Sequence, residues 1–219
     1  MKKTSNLLAI GLVLSASSFF VACGGSADAQ APAATPAGAA AAPAAGATGT
    51  FAITPQNSKI EWTGSKVSTH HDGAFTSFKG QIDFPGSIEQ GKVSVDIDTS
   101  SLVVNDPALG PMAEKLTGHL KSPDFFNVGQ FPTATFRSTS IKASGDSSAP
   151  YTVTGALTIR GGTKTISFPA TITPSATGLD TTATFTINRK DFGMVLPGMP
   201  NDLIKDDVQV RLTVHAAKG

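Results

Sequence analysis

Few residues of this chain stand at spacings that support chemistry. His70-His71-Asp72 places two imidazoles and a carboxylate in succession, the residue types that hold a divalent metal or pass a proton. Successive residues of a strand point to opposite faces, however, and no further ligand follows at a metal-binding spacing, so the triplet reads as a polar loop before Gly73. His119 ends a helical pattern. It reads as a helix cap, with contact to a ligand head group as the alternative. Arg160, Arg189 and Lys190 read as solvated charges at strand ends, any of which would serve a polar head group. Asp191-Phe192-Gly193 spells a kinase tripeptide, yet no glycine-rich loop, strand lysine or HRD motif accompanies it, and there is neither a G-x-S-x-G elbow nor a P-loop. The sequence therefore nominates no catalytic residue, no metal site and no cofactor.

The lone cysteine, Cys23, forms no intrachain disulfide and belongs to no Cys-x-x-Cys pair. Its position is what informs. Lys2 and Lys3 begin a leader, Leu7 to Ala22 is an uncharged apolar run shorter than a bilayer-spanning helix needs, and Val21-Ala22-Cys23-Gly24 ends it. This resembles a bacterial lipobox, in which the cysteine sulfur carries diacylglycerol, although Phe20 stands where leucine is usual. Residues 1–23 then form a lipoprotein signal peptide with its attachment cysteine, and the protein is expected in the bacterial cell envelope, lipid-anchored and facing the periplasm. Ala27-Asp28-Ala29 offers the alternative of ordinary cleavage and release as a secreted protein.

Residues 24–49 are alanine, proline and glycine with almost no large apolar side chain, which reads as a disordered tether. Fully extended at about 3.1 Å per residue it reaches roughly 80 Å; as a flexible coil, nearer 30 Å. Residues 50–219 are expected to form one domain. The chain has 17 Lys and Arg against 16 Asp and Glu, and loss of Lys2 and Lys3 leaves 15 against 16. A near-neutral chain without a basic block excludes nucleic acid as a natural partner.

The domain is rich in Thr, Ser, Val, Ile and Phe and broken by Gly and Pro, an all-β rhythm. Alternation places Ile60 with Trp62, then Phe78, Ile82 and Phe84, then Val93, Val95 and Ile97, then Ala134 with Phe136, each set on one face. Val153, Leu157 and Ile159 follow, then Ile166, Phe168 and Ile172, then Ala183, Phe185 and Ile187, and finally Val208, Val210, Leu212 and Val214. That makes eight strands with one apolar face each, which suits a closed barrel, and Gly161-Gly162 reads as a two-residue hairpin turn. Leu109, Met112, Ala113, Leu116 and Leu120 share a helical face, with Gly110-Pro111 as N-cap and N1 and a stop before Pro123. The stretch 189–206, with Phe192, Met194, Val195, Leu196, Met199, Leu203 and Ile204, is too apolar for an ordinary loop and is expected to dock at a barrel mouth.

The helix, His119-Leu-Lys-Ser-Pro-Asp-Phe-Phe126 and the Phe131-Pro-Thr-Ala-Thr-Phe136 strand resemble the central signature of the YceI-like family, and TSFKGQIDF, GALTIRGGTK and INRKDFGM match further patches after Thr50. Asn127 stands where that family often has Asp, and Leu116-Thr117 where Arg-Asp is common. The resemblance implies an antiparallel, lipocalin-like eight-stranded barrel with a short helical insertion, whose apolar interior holds a polyisoprenoid chain such as a quinone or prenyl lipid. Ligand contacts would then fall to the inward side chains Trp62, Phe78, Val95, Phe136, Leu157, Phe168 and Phe185, with Phe126, Phe192 and Met194 nearer the mouth. Three functions stay open: a tethered isoprenoid-lipid carrier, an enzyme acting on such a lipid, and a ligand-free envelope interaction module.

Overall fold

The computed structural model describes residues 48–175, 178–195 and 204–217. The leader with Cys23, the Ala27-Asp28-Ala29 site, nearly all of the tether, and Leu196, Met199 and Leu203 lie outside the described residues. In chain order the strands are β1 (Gly49–Ile53), β2 (Ser58–Lys66), β3 (His70–Phe75), β4 (Phe78–Phe84), β5 (Lys92–Asp98) and β6 (Leu102–Val104). The helix α1 (Met112–Lys121) follows, then β7 (Thr133–Ala143), β8 (Tyr151–Ile159), β9 (Gly162–Pro174), β10 (Gly178–Asn188) and β11 (Ile204–Ala217). Their spatial order is β1-β4-β5-β7-β8-β9-β10-β11-β2-β3-β6, in one sheet with every pairing antiparallel.

Eleven strands replace the expected eight because two of the eight are bent into separate halves and β1 is added at the edge of β4. β3 runs into β4 across Thr76 and Ser77, and β5 into β6 across the 3-10 turn Thr99–Ser101. Hydrogen bonding continues through the corner, with Thr76 N–H donating to the Ser101 carbonyl at 3.3 Å and Asp98 N–H to the Ser77 carbonyl at 3.0 Å. The bent ribbon pairs with β7 through β5 and with β2 through β3, so the sheet curls back on itself as a barrel. Taken as single bent strands, β3/β4 and β5/β6 complete eight with β2 and β7 to β11. Thr99, 1% exposed, pins the corner to the start of β7: its hydroxyl donates to the Phe131 carbonyl at 2.7 Å and its N–H to that of Pro132 at 2.9 Å.

A bend leaves backbone groups that need new partners. Where β3 departs, β1 pairs with β4 from Gly49 opposite Phe84 to Ile53 opposite Gly80, and Phe51 packs edge-on against Phe84 with ring centroids 6.1 Å apart. Phe51, Ile53, Phe84, Ile88 and Ile141 are all at most 4% exposed and seal this end of the barrel. Where β5 departs, α1 covers β6, and the Thr117 hydroxyl accepts the Val104 N–H at 3.0 Å. Thr117 thus serves the open edge of β6.

Two further local features adjust the alternation. A bulge between Ser138 and Ser140 shifts the phase of β7, so Ala134 is buried on the even side and Ile141 on the odd side of the same strand. Ile159 pairs with Gly162, so the β8–β9 turn is Arg160-Gly161 rather than Gly161-Gly162, with φ of 51° and 75°. Positive φ at both central positions is the turn whose twist matches the flanking strands. The helix boundaries fall within a residue of the sequence pattern: Pro111 is the N-cap, and Ser122 ends the helix with its N–H bonded to the His119 carbonyl. Of the two aromatics that follow, Phe125 is 7% exposed and Phe126 packs edge-on against Phe75.

Thr117→Val removes the hydroxyl that satisfies the edge of β6 while keeping the side-chain shape. An unpartnered N–H at Val104, which is 9% exposed, should lower unfolding stability by about 1–3 kcal/mol in urea titration; an unchanged midpoint would show that water serves the edge equally well.

Candidate functional site

The inner faces of the strands surround a cavity of about 580 Å³. Phe136, Phe168 and Phe185, from β7, β9 and β10, form one aromatic wall: Phe168 stacks on Phe185 at 4.3 Å and meets Phe136 at 5.7 Å. Ile53, Phe84 and Ile172 line the sealed end. Between them, Ala170 and Ala183 are register partners on β9 and β10, and small side chains at adjacent positions keep the space open. Two glycines widen it further. A Cβ at Gly155 would lie 2.5 Å from the Phe136 ring, and one at Gly73 would lie 2.2 Å from the Trp62 ring, so each aromatic is laid flat across a gap in the neighbouring strand.

Of the residues singled out as ligand contacts, Trp62, Val95, Phe126, Phe136, Leu157, Phe168, Phe185 and Met194 line the cavity. Phe78 and Phe192 do not. Phe78 sits beside the strand corner among Ile82 and Phe84, 7% exposed, and Phe192 lies in the 3-10 turn Arg189–Phe192, 4% exposed and packed with Ile159. Alternation gives a face and no depth, which is why Phe78 went unseparated from the rest, and Phe192 lies in a turn that has no alternation. The helix adds Leu116, His119 and Leu120 to the lining, with the His119 ring edge-on to Phe125 at 5.1 Å. The i, i+4 spacing of Leu116 and Leu120 carried that signal.

The opening lies among the end of β2 and the turn that follows it (Ser65, Lys66, Val67 and Ser68), α1, and the flanks of the 189–206 segment (Arg189, Met194, Ile204 and Lys205). Its polar groups differ from their sequence reading. His70-His71-Asp72 is the start of β3 rather than a loop. His70 and Asp72 face solvent, whereas His71 turns inward, lines the cavity, and holds Asp106 at 2.7 Å through Nδ1, with side chains 12% and 16% exposed. The carboxylate must accept, so Nδ1 carries the proton and Nε2 is left to the mouth. The hydrogen bond from His71, then that from the Ala108 N–H, holds the Asp106 carboxyl below its ordinary value of 3.8.

Arg189 is 5% exposed rather than solvated. It donates to the carbonyls of Met194 and Lys205 and pairs with Asp206 at 2.8 Å, gripping both flanks of its segment. Lys190 binds the other Asp206 oxygen at 2.8 Å, and its hydrogen bond, with the two nearby cations, holds that carboxyl below the usual range. Arg160 donates to the Gly193 carbonyl at 2.9 Å, tying the β8–β9 turn to the same segment. Among the described residues no Asp or Glu lines the cavity, whereas Lys59, Lys66, His71, His119, Arg189 and Lys205 do. The arrangement suits a long apolar body with a polar end at the mouth, and among the described residues no serine hydrogen-bonds a histidine.

A model of the YceI-like domain matches residues 51–216. UPF0312 proteins of Pseudomonas putida are 34% identical to this chain over 165 residues, covering 71% of it and 80% of their own length. Among solved structures, BcnA of Burkholderia cenocepacia superposes with a TM-score of 0.66 at 26% identity, over 75% of this chain and 99% of its own. A polyisoprenoid binding domain from Saccharophagus degradans shares the fold, with a TM-score of 0.59 at 15% identity over 78% of this chain and 99% of that one.

The His71–Asp106 bond makes a prediction in pH. A carboxyl with a depressed folded pKa contributes stability above its unfolded pKa and loses it as pH falls through the folded value. Asp106→Asn should therefore flatten the acid limb of the thermal midpoint below about pH 4 relative to the parent. Scanning both proteins from pH 6 to pH 2 checks this, and parallel acid limbs would mean the pair contributes nothing.

Proposed function

The chain belongs to the YceI-like family, and from that premise we propose that it is a carrier for an isoprenoid-type lipid, a quinone or polyprenyl chain, held without covalent chemistry inside the barrel. The observation that carries this reading is the cavity of about 580 Å³ walled by apolar side chains. Ligand sites commonly occupy about 300–1,000 Å³ and combine apolar walls with a few placed polar groups, which here gather at the mouth. At roughly 0.8 kcal/mol per methylene, ten buried carbons yield a gross gain of about 8 kcal/mol, partly offset by ordering the chain. The shared fold with the Saccharophagus polyisoprenoid binding domain supports the same ligand class.

The carrier is tethered in this reading. Cys23 takes the lipid, residues 24–49 span from the membrane to the barrel, and the domain faces the periplasm. Cys23→Ser should move the protein from the membrane fraction to the released or unprocessed one, followed by fractionation and mass analysis of the mature N-terminus. A wild-type mature chain that begins at Gln30 without lipid would sink the anchor.

For the cavity, organic extraction of the purified protein followed by mass spectrometry identifies the ligand directly. Ala183→Phe projects a ring into the lined space from a position 7% exposed. It should lower lipid occupancy while costing the fold little, because the ring takes volume the ligand used. In a filled core the same change overpacks at about 1–3 kcal/mol. A large loss of stability, with no lipid on the parent, would favour a plugged barrel.

A further inference from the structure

Among the described residues, the large apolar side chains that stand exposed are Val67 at 72%, Met112 at 52% and Val195 at 47%. Isolated exposed apolar groups are ordinary on a protein surface. These three are not scattered. Val67 is in the β2–β3 turn and itself lines the cavity, Met112 lies one turn before the lining residue Leu116 on α1, and Val195 follows the lining residue Met194. Three separate elements of the mouth thus each carry an exposed apolar group at, or next to, a lining residue.

Among the described residues, the charged side chains that line the mouth itself are all basic. Lys66 precedes Val67, and Lys205 lines the same mouth from the start of β11. Two carboxylates beside the mouth are engaged by its own cations, Asp106 with His71 and Asp206 with Arg189 and Lys190, while Glu114 and Asp191 stay exposed outside the lining. Apolar side chains interspersed with lysines fit an interface between lipid acyl chains and anionic head groups, where burial and charge act together.

We propose that this rim is a membrane-docking surface, which seats the cavity mouth against an anionic bilayer. The inference goes beyond lipid carriage, since it specifies which face meets the membrane, and it holds whatever ligand the cavity contains. A lipid leaving the bilayer would then enter the barrel without its chain crossing water.

The test uses the full chain with Cys23→Ser, so that no attached lipid holds it to a membrane, and single cysteines introduced as Val67→Cys, Met112→Cys or Val195→Cys. Asp146→Cys, in the exposed β7–β8 loop at the sealed end, is the control. Each is labelled with a polarity-sensitive thiol fluorophore and mixed with vesicles of phosphatidylcholine alone or phosphatidylcholine with phosphatidylglycerol. The three rim labels should shift their emission to the blue on the anionic vesicles while the Asp146 position does not, and adding Lys66→Glu should diminish the shift at position 67. Any contribution from the leader acts on all four labels alike. Absence of a shift at the rim, or an equal shift at position 146, overturns the membrane surface and leaves the rim to a protein partner; equal shifts on both vesicles overturn its preference for anionic lipid. Because lipid extraction is read separately, failure of the carrier reading and failure of this one are distinguishable.

Discussion

The barrel depends on how two neighbouring strands turn a corner without abandoning their hydrogen bonds. β3/β4 and β5/β6 stay paired through the bend, held by Thr76 to Ser101 and Asp98 to Ser77, while each half takes a different outside neighbour. That single exchange lets an antiparallel sheet curl on itself. It also exposes one edge of β4 and one of β6, and the structure answers both: β1 supplies a short strand, and α1 supplies the Thr117 hydroxyl. The helix is in this sense a cover for an edge that closure creates, and it becomes part of the mouth because that edge lies there.

Closure decides what the inward side chains can do. One end is filled by Phe51, Ile53, Phe84 and Ile88. Toward the other end the same alternation surrounds space, because Ala170 and Ala183 meet across a strand pair and because Trp62 and Phe136 lie flat over Gly73 and Gly155. Interiors are normally close-packed, and this distribution separates a solid base that folds from a lined space that holds.

The mouth is built from segments remote in sequence, and its electrostatics follow from that. Arg189 and Lys190 converge on Asp206, and His71 on Asp106. The carboxylates neutralise the groups that hold the opening together, while the cavity lining among the described residues keeps only cationic and imidazole groups. The opening is therefore braced by ion pairs and bordered by lysines and exposed valines.

The strands, their inward faces, the helix and its end near Pro123 were legible in the sequence, because each is a local pattern of period two or 3.6 with a proline or glycine as its stop. Short strands were not. β1, β6 and the His70–Phe75 strand exist because a neighbour's edge needs them, and His70-His71-Asp72 has no alternation to show. Of the seven residues that strand alternation singled out, six line the cavity, but alternation could not tell Phe136 from Phe78, since a face says which way a side chain points and nothing of how far it sits from a corner. His71 and Asp106 stand 35 residues apart, and Arg189 grips carbonyls on both sides of its segment; no periodicity encodes such meetings. The sequence by itself determined which residues turn away from water. Where those faces close into packing and where they close around a cavity was decided only by the tertiary structure, because that depends on the bend, the bulge at Ser138–Ser140, and the glycines that let rings from adjacent strands lie down.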